Sequence, residues 1–276
     1  MPNEQIMKDL KVIFLGSPDF VQPIKEKLVK HFTLVDSLKE ADLAVVAAYG
    51  KILTREQLEA PKYGCINIHP SLLPKYRGAS PIQTAILNSD KTTGITIIKM
   101  DTEVDHGSII YQDIINLSEN DNFDILSKKM FSLAAEVLPA IIADFTKGKT
   151  TPVEQNHAMA TYCERLTRES GYFPIDNPPT PEVLDRMIRA YYPWPGVWTI
   201  WRVKSQESRV KEKIVKFLPA RNATHSVARR HAFGKADGGL AGEPEYLIQM
   251  EGKKAVSKKD FLNGYPDFPN ILFPLK

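Results

Sequence analysis

The sequence contains 276 residues, of which 43% are hydrophobic and 25% are charged. These fractions exclude a disordered chain, because the apolar side chains are numerous enough to form a core, and the length suits two domains of ordinary size. No stretch approaches the ~20 apolar residues of a membrane-spanning helix, and the first ten residues lack the apolar segment of a signal peptide, so we expect a cytoplasmic protein without membrane contact. Cys65 and Cys163 are too few cysteines for a disulfide framework or a zinc site, and we expect no bound metal.

The net charge of +3 is distributed unevenly along the chain. Residues 197–276 contain 15 Lys and Arg against 8 Asp and Glu, a balance of +7, whereas residues 1–196 carry −4. A basic C-terminal part is typical of a protein that binds a polyanion such as nucleic acid, although basic surfaces also occur without such a partner.

Strands and helices alternate over the first 150 residues. Short apolar runs and alternating patterns predict strands over residues 10–15, 32–35, 43–49, 65–69, 94–100 and 108–115. Helical spacing and start signals predict helices over residues 19–30, 55–58, 80–87 and 124–147, with a helical turn over 37–41. This alternation is typical of an α/β domain with a mostly parallel sheet.

The Pro-rich stretch 178–181 is the clearest linker in the chain. It precedes a predicted short helix over 182–191, an aromatic turn over 193–195 and several strand-like pieces that indicate a small β-rich domain. A Gly-rich loop is predicted over 234–242. We therefore divide the chain into a first domain of residues 1–170, a linker of 171–181 and a C-terminal domain of 182–276.

The motifs for ATP hydrolysis and dinucleotide binding are absent, since neither G-x-x-x-x-G-K-[ST] nor G-x-G-x-x-G follows the first strand. The densest polar motif is NIHPSLLPKYRG at residues 67–78. Asn67 and His69 are two residues apart on a predicted strand and therefore point to the same face. They lie near the carboxyl end of that strand, where open α/β sheets bind their ligands.

A second polar motif, DTEVDHG at residues 101–107, adds a carboxylate at Asp105. A carboxylate beside an imidazole suits acid–base chemistry near neutral pH, and an amide can donate to an oxyanion. Together with Asn67 and His69, Asp105 indicates an acyl-transfer site without a covalent nucleophile. The alternative is structural, because a strand-end His before Pro is more often structural, and Asn and Asp are common turn residues.

Two segments carry a resemblance to a known family: INIHPSLLPKYRGASPIQTAI at 66–86 and TTGITIIKMDTEVDHGSIIYQ at 92–112. They resemble the catalytic motifs of folate-dependent formyltransferases. The resemblance implies that Asn67, His69 and Asp105 are catalytic and that the co-substrate is 10-formyltetrahydrofolate. It also implies that the loop against the reduced folate consists of Ser71, Leu72, Leu73 and Pro74.

The later part of the chain resembles the linker and C-terminal domain of the methionyl-tRNA formyltransferase family, in the segments TYCERLTRES (161–170), AYYPWPGVW (190–198) and GKKAVSKKDFLNG (252–264). This resemblance implies a Rossmann-like catalytic domain followed by an OB-like β-barrel that contacts tRNA. Separately, we expect a monomer. It further implies formyl transfer to the α-amine of methionyl initiator tRNA for translation initiation. Three alternatives remain: formylation of a sugar-nucleotide or another small amine, RNA binding without activity, and hydrolysis that releases formate.

The sequence departs from the family over residues 29–43, which are too few for the strand, long basic loop and helix that its members have there. We predict that at least one strand–helix unit and the loop are missing. Other positive charges either contact phosphate or are solvated on the surface: Lys75, Arg77, Lys253, Lys254, Lys258 and Lys259.

Overall fold

The structure is a computed structural model that describes residues 8–204, 210–220 and 246–269. The chain divides into two compact units, with the boundary between Arg165 and Leu166. The predicted loop over 234–242 lies outside the described residues. Within the described ranges, no helix is long and apolar enough to cross a membrane.

The first unit contains eight strands: β1 (Lys11–Leu15), β2 (Thr33–Leu34), β3 (Leu43–Val46), β4 (Cys65–His69), β5 (Arg77–Gly78), β6 (Thr92–Lys99), β7 (Ile109–Asn116) and β8 (Tyr162–Cys163). Six of them form one sheet in the order β2-β1-β3-β4-β6-β7, and β5 pairs with β8 separately. The pairs β2–β1, β1–β3 and β3–β4 are parallel, whereas β4–β6 and β6–β7 are antiparallel. The predicted α/β class with a mostly parallel sheet is therefore confirmed.

Four helices accompany this sheet: α1 (Gln22–His31), α2 (Arg55–Glu59), α3 (Pro81–Leu87) and α4 (Phe123–Thr146). Helix α2 begins with a capping box, in which Thr54 and Gln57 satisfy each other's backbone N–H groups. Helix α4 begins where the Asn122 side chain accepts a hydrogen bond from the backbone N–H of Ile125. Helices α1 and α4 pack against each other, and an ion pair of 2.6 Å joins Lys27 and Glu136 across them.

Strand β3 is shorter than predicted. All four of its residues are buried, as expected for a central strand covered on both faces. The prediction extended it to residue 49, but Ala48 has a φ of 46°, a left-handed conformation that is incompatible with a continuing strand. The chain therefore leaves the sheet after Val46.

The connection from β2 to β3 contains a single turn, in which the backbone N–H groups of Glu40 and Ala41 both donate to the carbonyl oxygen of Ser37. All residues of this connection are described, and they form no helix. Strand β2 is retained with only two residues. Residues 35–42 thus connect the two strands without a helix or a long loop.

The described residues of the second unit form four strands, β9 (Val197–Lys204), β10 (Val210–Pro219), β11 (Tyr246–Met250) and β12 (Val256–Ser257), and two helices, α5 (Pro181–Tyr191) and α6 (Lys258–Gly264). The strands form an antiparallel sheet in the order β12-β11-β10-β9. Helix α5 starts after the Thr180 cap and packs on β9 and β10 with its apolar face. Phe217, Ile248 and Phe261 are fully buried in this unit. The prediction of a β-rich second unit, consistent with a small barrel-like domain, is confirmed.

Candidate active site

Strand β4 positions the first two candidate residues. It pairs with β3 on one side, opposite Val46, and with β6 on the other, where Asn67 faces Ile98 and His69 faces Thr96. Because β4 lies inside the sheet, His69 is only 4% exposed. Asn67 and His69 project from the same face of the strand, as predicted.

Asp105 lies in the loop that joins β6 to β7. Its φ is 51°, a left-handed conformation that Asp adopts more readily than most residues. Gly107 closes the loop, since a Cβ at this position would overlap the carbonyl oxygen of Lys99. The loop is therefore packed tightly against the end of β6, and Asp105 is held close to the sheet.

The structure brings together all three residues predicted to be catalytic. Asn67 Nδ2 donates to Asp105 Oδ1 over 3.1 Å, and His69 Nδ1 lies 3.4 Å from the same oxygen. The backbone N–H of Gly78 donates to Asp105 Oδ2 over 2.8 Å. Both oxygens of the carboxylate are thus held by neighbouring groups, and the carboxylate in turn orients the amide and the imidazole.

The other ring nitrogen of His69 determines its tautomer. His69 Nε2 is 2.9 Å from the carbonyl oxygen of Tyr76. A carbonyl oxygen only accepts hydrogen bonds, so Nε2 carries a proton and Nδ1 is the nitrogen that gains or loses one. Since Nδ1 faces Asp105, a proton on His69 is exchanged on the side of the carboxylate.

The predicted folate loop is anchored on β6 and β7. Thr96 Oγ1 donates to the carbonyl oxygen of Ser71 over 2.6 Å and accepts from the N–H of Leu73 over 3.1 Å. Gln112 Nε2 donates to the carbonyl oxygen of Leu73 over 3.0 Å. Ser71 and Leu73 are buried by these contacts, whereas Leu72 and Pro74 keep part of their apolar surface exposed. The loop can therefore offer a ligand a preformed apolar wall.

Arg77 does not lie where a phosphate contact requires it. Its side chain is 2% exposed, so the interpretation of Arg77 as a phosphate-binding or solvated surface residue is wrong. Lys75 is half-exposed and donates to Asp90 Oδ2 over 2.8 Å, so its charge is already paired. Arg77 is buried because β5, which carries it, pairs with β8.

Gln155 is a residue of this site that sequence reasoning missed. Its Nε2 donates to the carbonyl oxygens of Asp105 over 2.9 Å and of Gly107 over 2.8 Å. Its Oε1 accepts from Nε and Nη2 of Arg77 over 3.2 and 2.7 Å. Gln155 is 50 residues from Asp105 and stands in a segment without periodicity, so no local pattern marks it.

Two histidines outside the catalytic group stack beside this loop. The rings of His106 and His157 are nearly parallel, with their centroids 3.9 Å apart. His106 Nδ1 is 2.7 Å from Asp101 Oδ2, and Arg77 Nη2 is 2.8 Å from His157 Nδ1. A guanidinium only donates, so His157 Nδ1 is the acceptor of this hydrogen bond. In the part of the chain that the structure describes, no three His, Cys, Asp or Glu side chains are placed to hold a metal ion.

The nearby thiol of Cys163 is not prepared for nucleophilic attack. Its Sγ donates to the carbonyl oxygens of Arg77 over 3.3 Å and of Tyr76 over 3.6 Å. Burial raises the pKa of this thiol above its usual value, so it stays protonated at neutral pH.

Comparison with known sequences identifies the relatives of the chain. Residues 12–142 match the family model described as formyl transferase. The chain is 44% identical over 161 residues to the methionyl-tRNA formyltransferase of Roseiflexus sp. (strain RS-1). The matched region covers 58% of this chain and 49% of that protein. It is 40% identical over 258 residues to the methionyl-tRNA formyltransferase of Caldanaerobacter subterraneus subsp. tengcongensis. The matched region covers 91% of this chain and 76% of that protein.

Solved structures share the fold. The methionyl-tRNA formyltransferase from Clostridium thermocellum superposes with a TM-score of 0.60 at 16% identity, over 90% of this chain and 99% of that one. HypX from Aquifex aeolicus, solved in complex with tetrahydrofolic acid, gives a TM-score of 0.62 at 14% identity, over 92% of this chain and 46% of that one. At these identities the similarity concerns the fold alone.

Proposed function

Because the chain belongs to the methionyl-tRNA formyltransferase family, we propose that it transfers the formyl group of 10-formyltetrahydrofolate to the α-amine of methionyl initiator tRNA, for translation initiation. The observation that carries the proposal is the cluster of Asn67, His69 and Asp105, in which the amide and the imidazole lie at 3.1 and 3.4 Å from one carboxylate oxygen. The likeness to relatives of this name over most of the chain supports the same acceptor.

The cluster suits attack by an amine that needs little activation. A free α-amine has a pKa of ~7.7–8.0, so a neutral fraction exists at physiological pH. When the amine attacks the formyl carbon, negative charge develops on the formyl oxygen. We assign the stabilisation of that charge to Asn67 and His69, with Asn67 as the hydrogen-bond donor, because both ring nitrogens of His69 already face Tyr76 and Asp105. Asn67 Nδ2 has a second N–H besides the one given to Asp105, and this N–H is the donor that we assign to the oxyanion.

Proton movement is assigned to His69 and Asp105. The attacking amine loses a proton as its new bond to carbon forms, and N10 of the folate gains one as its bond to carbon breaks. His69 Nδ1 faces Asp105, while Nε2 is held by Tyr76. We therefore assign to His69 and Asp105 the transfer of the proton from the attacking amine to N10 of the folate. Asp105 also orients the imidazole, since it lies on the Nδ1 side while Tyr76 holds Nε2.

The folate loop fits an extended, partly aromatic co-substrate. Leu72 and Pro74 offer apolar surface, and Thr96 holds the neighbouring backbone of Ser71 and Leu73 to the sheet, so the wall is formed before the ligand arrives. We assign Ser71 and Leu73, which are buried, to fixing the conformation of the loop. No metal is part of the proposed chemistry.

We assign tRNA contact mainly to the second unit. Residues 197–276 carry a charge of +7, and the connection between β2 and β3 contains no long basic loop. The charged tRNA is a polyanion, so a basic surface favours its binding without reading its sequence. As an enzyme of translation initiation, the protein is proposed to act in the cytoplasm as a monomer.

The test is a formylation assay with 10-formyltetrahydrofolate and methionyl initiator tRNA. Parallel reactions contain uncharged tRNA, free methionine and sugar-nucleotide amines, and a reaction without acceptor measures formate release. Formyl transfer confined to the charged initiator tRNA is expected. Formyl transfer to a sugar-nucleotide or another small amine, but not to the charged tRNA, would show that the small amine is the acceptor. Formate release alone would indicate a hydrolase.

A further inference from the structure

Gln155 is a buried amide whose hydrogen-bonding capacity is fully used. It is 4% exposed, it donates to two carbonyl oxygens and its own oxygen accepts twice from Arg77. We propose that Gln155, oriented by Arg77, is a positioning residue that holds the Asp105 carboxylate in place for formyl transfer. This inference rests on the proposed function and adds a residue to it.

The contact of Gln155 with the loop fixes the backbone of Asp105 on one side. The two N–H groups of Nε2 bind the carbonyl oxygens of Asp105 and Gly107, so the amide bridges the residues on either side of His106. The Asp105 carboxylate is bound separately by the N–H of Gly78. Asp105 has a left-handed backbone conformation, which surrounding contacts must maintain.

Arg77 fixes the orientation of the Gln155 side-chain amide. A guanidinium has donors only, so the atom of Gln155 that faces Arg77 is the oxygen and the atom that faces the loop is the nitrogen. Arg77 also precedes Gly78, which binds the Asp105 carboxylate directly. Strand β5 thus positions Asp105 twice, once through Gly78 and once through the Arg77–Gln155 pair.

The substitution Gln155→Glu separates these contacts. A carboxylate of the same shape keeps an acceptor for Arg77, but it has no N–H for the carbonyl oxygens of Asp105 and Gly107. An oxygen would face two carbonyl oxygens, and the loop is expected to move away from Gln155. A misplacement of about 1 Å far from the reacting atoms can reduce turnover ~10²-fold.

The experiment measures kcat and KM of Gln155→Glu for both substrates, together with its thermal melt. The matched control is Gln57→Glu, because Glu serves equally well at this position of the capping box of α2. We expect kcat to fall about 10- to 100-fold in Gln155→Glu, with both KM values within about twofold of the parent and with the control unchanged. An unchanged kcat, or a loss that lies in KM, would overturn the inference.

A double-mutant cycle tests whether Gln155 acts through Asp105. In the Asp105→Asn background, Gln155→Glu is expected to cause little further loss, since the group that it positions has already been removed. Losses that multiply would show that Gln155 acts elsewhere. If the parent enzyme transfers no formyl group, the proposed function fails, whereas an active parent with a neutral Gln155→Glu contradicts only this inference.

Arg77→Lys covers the case in which Gln155→Glu does not fold. Lys keeps the positive charge but lacks the planar fork that holds the amide oxygen. We expect kcat to fall, by less than in Gln155→Glu, and we expect little further loss when Arg77→Lys is combined with Asp105→Asn. Full activity of a folded Arg77→Lys, with the cycle additive, would contradict the role of the pair.

Discussion

Asn67 and Asp105 are 38 residues apart in the chain, yet Asn67 Nδ2 donates a hydrogen bond of 3.1 Å to Asp105 Oδ1. The first residue belongs to an inner strand and the second to the loop that follows the neighbouring strand β6. The pair forms because that loop folds back over the face of β4 that carries Asn67 and His69. The catalytic group therefore depends on the packing of a loop that is itself held by residues distant in sequence.

The charge of Asp105 is the first quantity to test. Asp105→Asn keeps the size of the side chain but replaces one acceptor oxygen with an N–H₂ group, which must face either Asn67 or Gly78. We expect a folded protein whose kcat for formyl transfer falls by ~10²–10³, because the imidazole loses the carboxylate that orients it. Formylation rates and a thermal melt measure the two effects separately.

The control for this variant is Asp144→Asn on α4, which removes an exposed carboxylate 4.0 Å from Lys149. Its kcat should equal that of the parent, because an isolated surface ion pair contributes little. A fully active Asp105→Asn would make Asp105 an ordinary turn residue and would remove it from the catalytic group.

The sequence predicted the site where the pattern is local and failed where it is not. Asn67 and His69 share a face because they are two residues apart on a strand, and Asp105 stands in a short acidic turn before Gly. Gln155, and the contact that buried Arg77 makes with it, became visible only in the fold, because Gln155 meets Arg77 and the Asp105 loop across 78 and 50 residues of sequence. The pairing of β5 with β8 is reinforced by a hydrogen bond from Tyr76 N to Thr161 Oγ1 across 85 residues of sequence.

The folate loop offers a second test through Thr96. Thr96→Val preserves the shape of a fully buried side chain but removes the hydroxyl that binds Ser71, Leu73 and Gln112. Leaving buried partners unsatisfied costs about 1–3 kcal/mol, so we expect a loss of that size in the free energy of unfolding. We also expect the KM for 10-formyltetrahydrofolate to rise while the KM for tRNA stays constant.

Thr92→Val on the same strand is the matched control, since Thr92 is exposed. It should change neither KM nor stability by a measurable amount. If Thr96→Val lowers stability without changing the KM for the folate, the loop at residues 71–74 does not contribute to co-substrate binding.

Alkaline pH should destabilise the protein through Cys65. Burial raises the pKa of this thiol to about 11, well above its value in an unfolded chain. The folded state therefore binds the proton more tightly, so the stabilisation is complete below the unfolded pKa of ~8.5 and is lost as pH rises towards 11. Between pH 8 and 10, the titration of this thiol is expected to lower the free energy of unfolding by about 2 kcal/mol.

Urea unfolding of the parent and of Cys65→Ala at pH 8, 9 and 10 measures this effect. The substitution lowers stability at every pH by removing a buried side chain, so the informative quantity is the slope with pH. Other groups that titrate in this range, Cys163 included, contribute equally to both proteins. Parallel curves would mean that the Cys65 thiol titrates alike in the folded and unfolded states.

The assignment of tRNA binding to the second unit is tested by salt dependence. Exposed lysines lie on either side of β12: Lys253, Lys254 and Lys259. Each lysine that contacts a phosphate contributes ~0.7–0.9 to the slope of log K against log salt concentration. Replacing all three with Ala should raise the KM for tRNA and reduce that slope by about 2–3 if every lysine makes a contact.

An equal change of charge on the first unit is the matched control. Lys128 and Lys129 are exposed residues of α4, and Lys147 is exposed directly after its last residue. Their replacement with Ala should leave both the KM for tRNA and the salt slope as in the parent. If this control instead weakens tRNA binding and the β12 variant does not, the acceptor is bound by the first unit. The basic C-terminal part would then need another explanation, whereas the proposed chemistry at Asn67, His69 and Asp105 would be unaffected.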